Sequence, residues 1–132
     1  MSTGKVKISL DEKTKLVELS FLAPGETAEE HNAMAAEVDE YYKDLVKRFP
    51  SGRYKVIVDL SNAGLPTKEA SDVYIKTLSD KHIEKAAIFG MGSAIKSVIN
   101  FIVAAASRDE HTHFFVDREQ ALAWLLQDSA KV

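Results

Sequence analysis

Two short segments near the start of the chain alternate apolar and polar positions. Val6, Ile8 and Leu10 mark one, and Val17, Leu19 and Phe21 mark the other, so residues 5–10 and 16–21 read as half-buried strands. The charged Asp11–Thr14 between them predicts an antiparallel hairpin. After the turn Ala23-Pro24-Gly25-Glu26 the period lengthens. Met34, Val38, Tyr41, Leu45 and Phe49 recur every three or four residues and predict the inward stripe of a helix running to about Phe49. Thr27 with Glu30 three residues on reads as a capping box, and Pro50-Ser51-Gly52 ends the helix.

Strand and helix signals then take turns: strand 54–60, helix 67–78, strand 86–89, helix 93–107, strand 113–116 and helix 118–127, with Asp117 and Gln120 placed to cap the last. The order is β-β-α-β-α-β-α-β-α. Parallel strands joined through helices take right-handed crossovers. The pattern therefore predicts an α/β fold with an open mixed sheet, an antiparallel hairpin followed by parallel strands, covered by helices. With no repeat or linker in 132 residues, 1–132 is expected to be a single domain.

Composition narrows the function classes. At 45% apolar the chain can bury a substantial core. Its net charge is −3, and the 17 basic residues form no run longer than Lys47-Arg48, which argues against a nucleic-acid partner. The long helix is acidic early (Glu29, Glu30, Glu37, Asp39, Glu40) and basic late (Lys43, Lys47, Arg48); the helix dipole accounts for that order without a partner. Cysteine is absent, so disulfides, thiolate catalysis and cysteine-ligated zinc are excluded. The N-terminus carries no signal-peptide pattern. The longest apolar region, 98–106, is broken by Asn100 and too short to span a bilayer. The protein is expected to be cytoplasmic and not transmembrane.

Three stretches could carry a binding site. In "VIVDLSNAGLPTKEASDVY" (56–74), Asp59 closes a strand and Ser61-Asn62 open a loop at the expected carboxyl edge of the sheet, where open α/β sheets bind ligands. Pro66-Thr67 then start a helix that continues through Lys68 and Ser71. Its first amides could hold an anion, but Thr67 also reads as an ordinary N-cap. In "FGMGSAIK" (89–96), Gly90 and Gly92 flank Met91 and Ser93 follows. The spacing is neither a P-loop nor GxGxxG, and Ser93 reads as a helix cap. The helix over 93–107 is apolar nearly all round, with Lys96, Asn100 and Ser107 as a narrow polar strip. Core burial, the interface of a homodimer and the wall of a lipophilic pocket all stay open for it.

His111 and His113 share a strand face, but no third ligand stands near them in sequence, so no metal site is assigned. No Gly-x-Ser-x-Gly elbow and no distinct carboxylate pair appear, so no catalytic residue and no cofactor are assigned.

Four segments together resemble the SpoIIAA-like proteins, relatives of the anti-sigma factor antagonist (STAS) domain, whose fold is also compared with the Sec14 lipid-transfer domain. They are "VIVDLSNAG" (56–64), "KAAIFGMG" (85–92), "INFIVAAASR" (99–108) and "FFVDREQALAWLL" (114–126), within a likeness spanning about residues 5–127. The resemblance implies the hairpin-led mixed sheet and a non-enzymatic regulatory role through a protein partner. The alternative it offers is a lipophilic small-molecule binder, with Lys96, Asn100 or the 61–67 loop fixing a polar head; an enzyme of unknown reaction is held in reserve behind both. In STAS-type switches a serine opening the helix after this loop is phosphorylated; here Lys68 stands at that position, with Thr67 and Ser71 as the neighbouring hydroxyls.

Overall fold

The computed structural model describes residues 3–107 and 110–127; Arg108, which closes the third of the resembling segments, lies outside them. Its elements are β1 (Val6–Asp11), β2 (Leu16–Phe21), α1 (Ala28–Arg48), β3 (Tyr54–Asp59), α2 (Lys68–Leu78), β4 (Ile83–Phe89), α3 (Ser93–Ala105), β5 (Thr112–Phe115) and α4 (Arg118–Leu125). The five strands form a sheet in the order β1-β2-β3-β4-β5. β1 and β2 are antiparallel, with Ile8 opposite Leu19, and the remaining pairs are parallel. This is the predicted mixed sheet and the predicted element order.

Because strand order follows chain order, successive right-handed crossovers place their helices on the same face. Met34 and Val38 of α1, Tyr74 and Leu78 of α2, and Ile95, Ile99, Ile102 and Val103 of α3 pack on Leu19, Phe21, Val58 and Ile88. Among the described residues the other face carries α4 alone, where Ala121 and Leu125 join Leu16, Ile57, Ala87 and Phe89. The strand period of two sends neighbours to opposite faces: Ala86 belongs with Tyr42 and Ile83, and Ala87 with α4.

Local chemistry fixes the helix starts. Thr27 accepts from the Glu30 amide at 3.1 Å, Thr67 from the Ala70 amide at 3.0 Å, and Asp117 from the Gln120 amide at 2.9 Å. The reciprocal half of the capping box differs from expectation: the Glu30 carboxylate accepts from the Glu26 amide at 2.7 Å and pairs with Lys5 at 2.6 Å. That ion pair ties the start of β1 to the start of α1. Through it Lys5, foremost, holds the Glu30 carboxyl below its ordinary range, and the Lys5 ammonium is raised in turn.

Three expectations are corrected. β4 begins at Ile83 rather than Ala86, because Ile83 pairs with Tyr54 across an irregularity in the β3–β4 ladder. On α1 Tyr42 joins Tyr41 on the inward side and is the more deeply buried of the two, its hydroxyl donating to Asp80 at 3.0 Å. Ser93 does not cap α3: the cap position is Gly92, extended at φ −79° and ψ 162°, and no side chain bonds there.

Candidate functional site

The loops after β3 and β4 meet at the carboxyl edge. The Leu60 amide donates to the Phe89 carbonyl at 3.0 Å, and Gly90, at φ +80°, lies so close to Ser61 that an added Cβ would sit 2.4 Å from its hydroxyl oxygen. Only glycine meets both demands there. Ser61 and Asn62 are exposed, and the Ser61 amide is turned back onto the Asp59 carboxylate at 2.9 Å. Thr67 is engaged on both sides: its hydroxyl oxygen caps α2, and its proton goes to the Asn32 side-chain carbonyl of α1. Lys68 is exposed and pairs with Asp72 at 3.2 Å, one helical turn on, while Ser71 is buried. Pro66 and Met91 are half-buried, and Met91 leans on the main apolar cluster.

Ligand crevices at a carboxyl edge arise where strand order reverses and helices diverge to opposite faces. Strands β2 to β5 run in chain order, so no such crevice opens between them. The space lies deeper, between the sheet and α1–α3. A cavity of about 140 Å³ is floored by Val17, Leu19 and Phe21 of β2, Val56 and Val58 of β3, and Ala86 and Ile88 of β4. Its roof is Met34, Val38, Tyr41 and Tyr42 of α1, Tyr74, Thr77 and Leu78 of α2, and Ile95, Ile99, Ile102 and Val103 of α3. At the carboxyl-edge end it is bounded by Leu60, Ala63, Gly64, Pro66 and His31. Gly64 lets that end close: a Cβ there would meet Pro24 at 2.7 Å.

Among the described residues the lining contains no Asp, Glu, Lys or Arg. Burial, first, and the negative charge of Glu37, second, push the Tyr74 phenol well above its ordinary range, so it is neutral at physiological pH. The Tyr74 ring stands edge-on to Phe21, with centroids 5.9 Å apart.

Of the residues singled out in the sequence, Pro66 borders this cavity, while Ser61, Asn62, Thr67, Lys68, Ser71, Met91, Ser93, Lys96 and Asn100 are not among those lining it. Lys96 and Asn100 are exposed on α3, whose opposite side supplies the roof. Among the lining residues missed from sequence are His31, Tyr42, Tyr74 and Thr77.

His111 precedes β5 and is exposed. His113 stacks on Trp124 of α4 at 4.4 Å between centroids, with the Lys85 ammonium 4.8 Å from the Trp124 ring. Among the described residues no group of three His, Asp or Glu could hold a metal ion, and no helix is long and apolar enough to cross a membrane.

No family model and no curated protein matches the chain. Among solved structures it is similar to an uncharacterised protein of the DUF3478 family with a SpoIIAA-like fold from Shewanella loihica PV-4. The two are 17% identical, the match covers 91% of each chain, and the TM-score is 0.61. The fold is therefore SpoIIAA-like.

Proposed function

We propose that this protein is a non-enzymatic binding module whose ligand is a small lipophilic molecule held between the sheet and α1–α3. The observation that carries this reading is the apolar cavity, walled by three helices and free of charged side chains. Volume limits the ligand. A dry cavity of about 150 Å³ is enough for benzene, whereas pockets for drug-sized ligands run to about 300–1,000 Å³. At about 140 Å³ this one suits a ring or a short chain rather than a two-chain lipid. Native mass spectrometry of protein purified without delipidation is expected to show a small added mass that Ala86→Leu removes. A clean apo mass, with no uptake of added hydrophobic probes, would sink the reading.

The loop at the cavity's end favours a second, regulatory role through a protein partner. Ala63, Gly64 and Pro66 border the cavity while Leu65 between them is 54% exposed, beside exposed Lys68. A partner gripping Leu65 and Lys68 would sense what lies beneath. Leu65→Asp should then abolish capture of that partner without changing the fold, and unchanged capture would count against this surface. With Thr67 engaged on both sides and Ser71 buried, binding is favoured over phosphorylation here.

A further inference from the structure

The two ends of the cavity are closed by different means. At the amino-edge end hydrogen bonds do it. The Tyr42 hydroxyl and the His82 amide both donate to Asp80, at 3.0 and 2.8 Å, and a ring nitrogen of His82 lies 2.9 Å from the Pro50 carbonyl oxygen. At the carboxyl-edge end the loop 22–27 meets the loop 61–67, and among the described residues no hydrogen bond joins them. Contact alone closes this seam. A Cβ on Gly64 would meet Pro24 at 2.7 Å, and one on Gly25 would meet the His31 ring at 2.7 Å. Neither glycine has a positive φ, so close approach, not backbone shape, calls for glycine at both. The His31 ring stands between them, its Cε1 3.5 Å from the atom added at Gly64. It borders the cavity, is half-buried, and no described residue hydrogen-bonds it.

We infer that this seam is the doorway of the cavity: a small lipophilic ligand enters and leaves between Pro24-Gly25 and Gly64 when the His31 ring turns aside. This rests on the reading that the cavity binds such a molecule, and it adds the route that the molecule takes. Proteins open locally wherever opening costs least. Parting the two loops gives up only van der Waals contact, each atom pair of which is individually weak. Opening the other end would strip Asp80 of its donors and leave a partly buried carboxylate short of partners, which is far more costly. Thr67, bonded to Asn32, holds the start of α2 against α1, so the motion is confined to the loops and the ring.

The test uses the full chain with benzene as the probe, following its exchange and affinity through the methyl signals of Ile95, Ile99 and Ile102. The chain has no cysteine, so Pro24→Cys and Gly64→Cys placed together can join only to each other. The 2.7 Å between the Pro24 Cβ and the atom added at Gly64 is about 1 Å short of a disulfide's usual span, a shift that two loops can make. The oxidised pair is expected to take up and release benzene at least about tenfold more slowly than the reduced pair, with Kd within about twofold, and reduction restores both rates. His31→Ala should speed both rates by about threefold or more. Equal change in both directions marks a doorway, whereas a wall residue alters release and affinity together. Unchanged exchange in the oxidised pair, or in His31→Ala, overturns the doorway and leaves the cavity reading standing. A change in release alone, with affinity following it, makes the seam part of the wall and overturns the doorway too. Should the pair not fold or not join, His31→Ala decides by the same rates. Benzene that binds neither the parent chain nor the reduced pair overturns the cavity reading, and the doorway with it.

Discussion

On one face of the sheet a single eight-residue helix, α4, packs over Ile57, Ala87 and Phe89 with Ala121 and Leu125 wholly buried. On the other, three helices with 21, 11 and 13 residues cover a larger apolar area and leave a cavity of about 140 Å³. More cover has not meant tighter packing. The small side chains explain part of the difference. Ala87 on the strand and Ala121 on the helix, both fully buried, let α4 lie close to the sheet. Opposite them, Met34, Tyr74, Ile95 and Ile99 stand between sheet and helices, and three roof helices must also fit one another.

The sharpest way to break this comparison is to truncate one side chain on each face. Leu125→Ala, at a fully buried site outside the cavity lining, should cost about 3–5 kcal/mol in urea-denaturation midpoints. Ile99→Ala, which already faces empty space and has fewer partner atoms to lose, should cost about 2–3 kcal/mol. Equal losses would mean that the cavity is filled or collapsed in solution.

Adding volume reverses the logic. Ala87→Val inserts two methyl groups into close packing and should destabilise by about 1–3 kcal/mol, whereas its neighbour Ala86→Val points them into the cavity and should stay within about 1 kcal/mol of the parent in either direction. The same pair measured by thermal melting gives an independent reading, and matching losses would refute the difference between the faces.

The smallest effect concerns a polar clasp at the amino-edge end of the cavity face, where Asp80 accepts from the Tyr42 hydroxyl and from the His82 amide at 2.8 Å. Burial works to raise this carboxyl, but the His82 amide and ring and the Tyr42 hydroxyl together hold it below the ordinary carboxylate range. A depressed carboxyl adds stability above its unfolded value, about pH 4, and loses that contribution as pH falls through its folded value. Asp80→Asn should therefore lower the melting temperature slightly between about pH 5 and pH 7, with the gap closing below about pH 4. A gap that is unchanged down to pH 3 would assign the loss to packing.

What could be read from the chain was what depends on near neighbours. Thr27, Thr67 and Asp117 sit one residue before their helices and bond amides three residues on, so spacing alone located them. The start of β4 escaped because Glu84 and Lys85 interrupt its apolar run, and only Tyr54 across the ladder makes Ile83 a strand residue. Tyr42 escaped for a similar reason, since its burial beside Tyr41 goes with a bond to Asp80, 38 residues away. The apolar girth of α3 was plain in the sequence; that its inner side roofs a void was not. Empty volume belongs to the way three helices settle together, and no single segment encodes it.

Strand order that follows chain order also bears on how the molecule assembles. Each new strand adds to the edge left by the one before it, and no strand must be inserted between two already paired. Each parallel pairing therefore closes across a single intervening helix. The walls of the cavity come from β1 through α3, so its last wall is in place once residues 93–105 dock, before β5 and α4 are added. The cavity face is thus complete before the opposite face is covered, and β5 and α4 add the last edge of the sheet and the layer behind it.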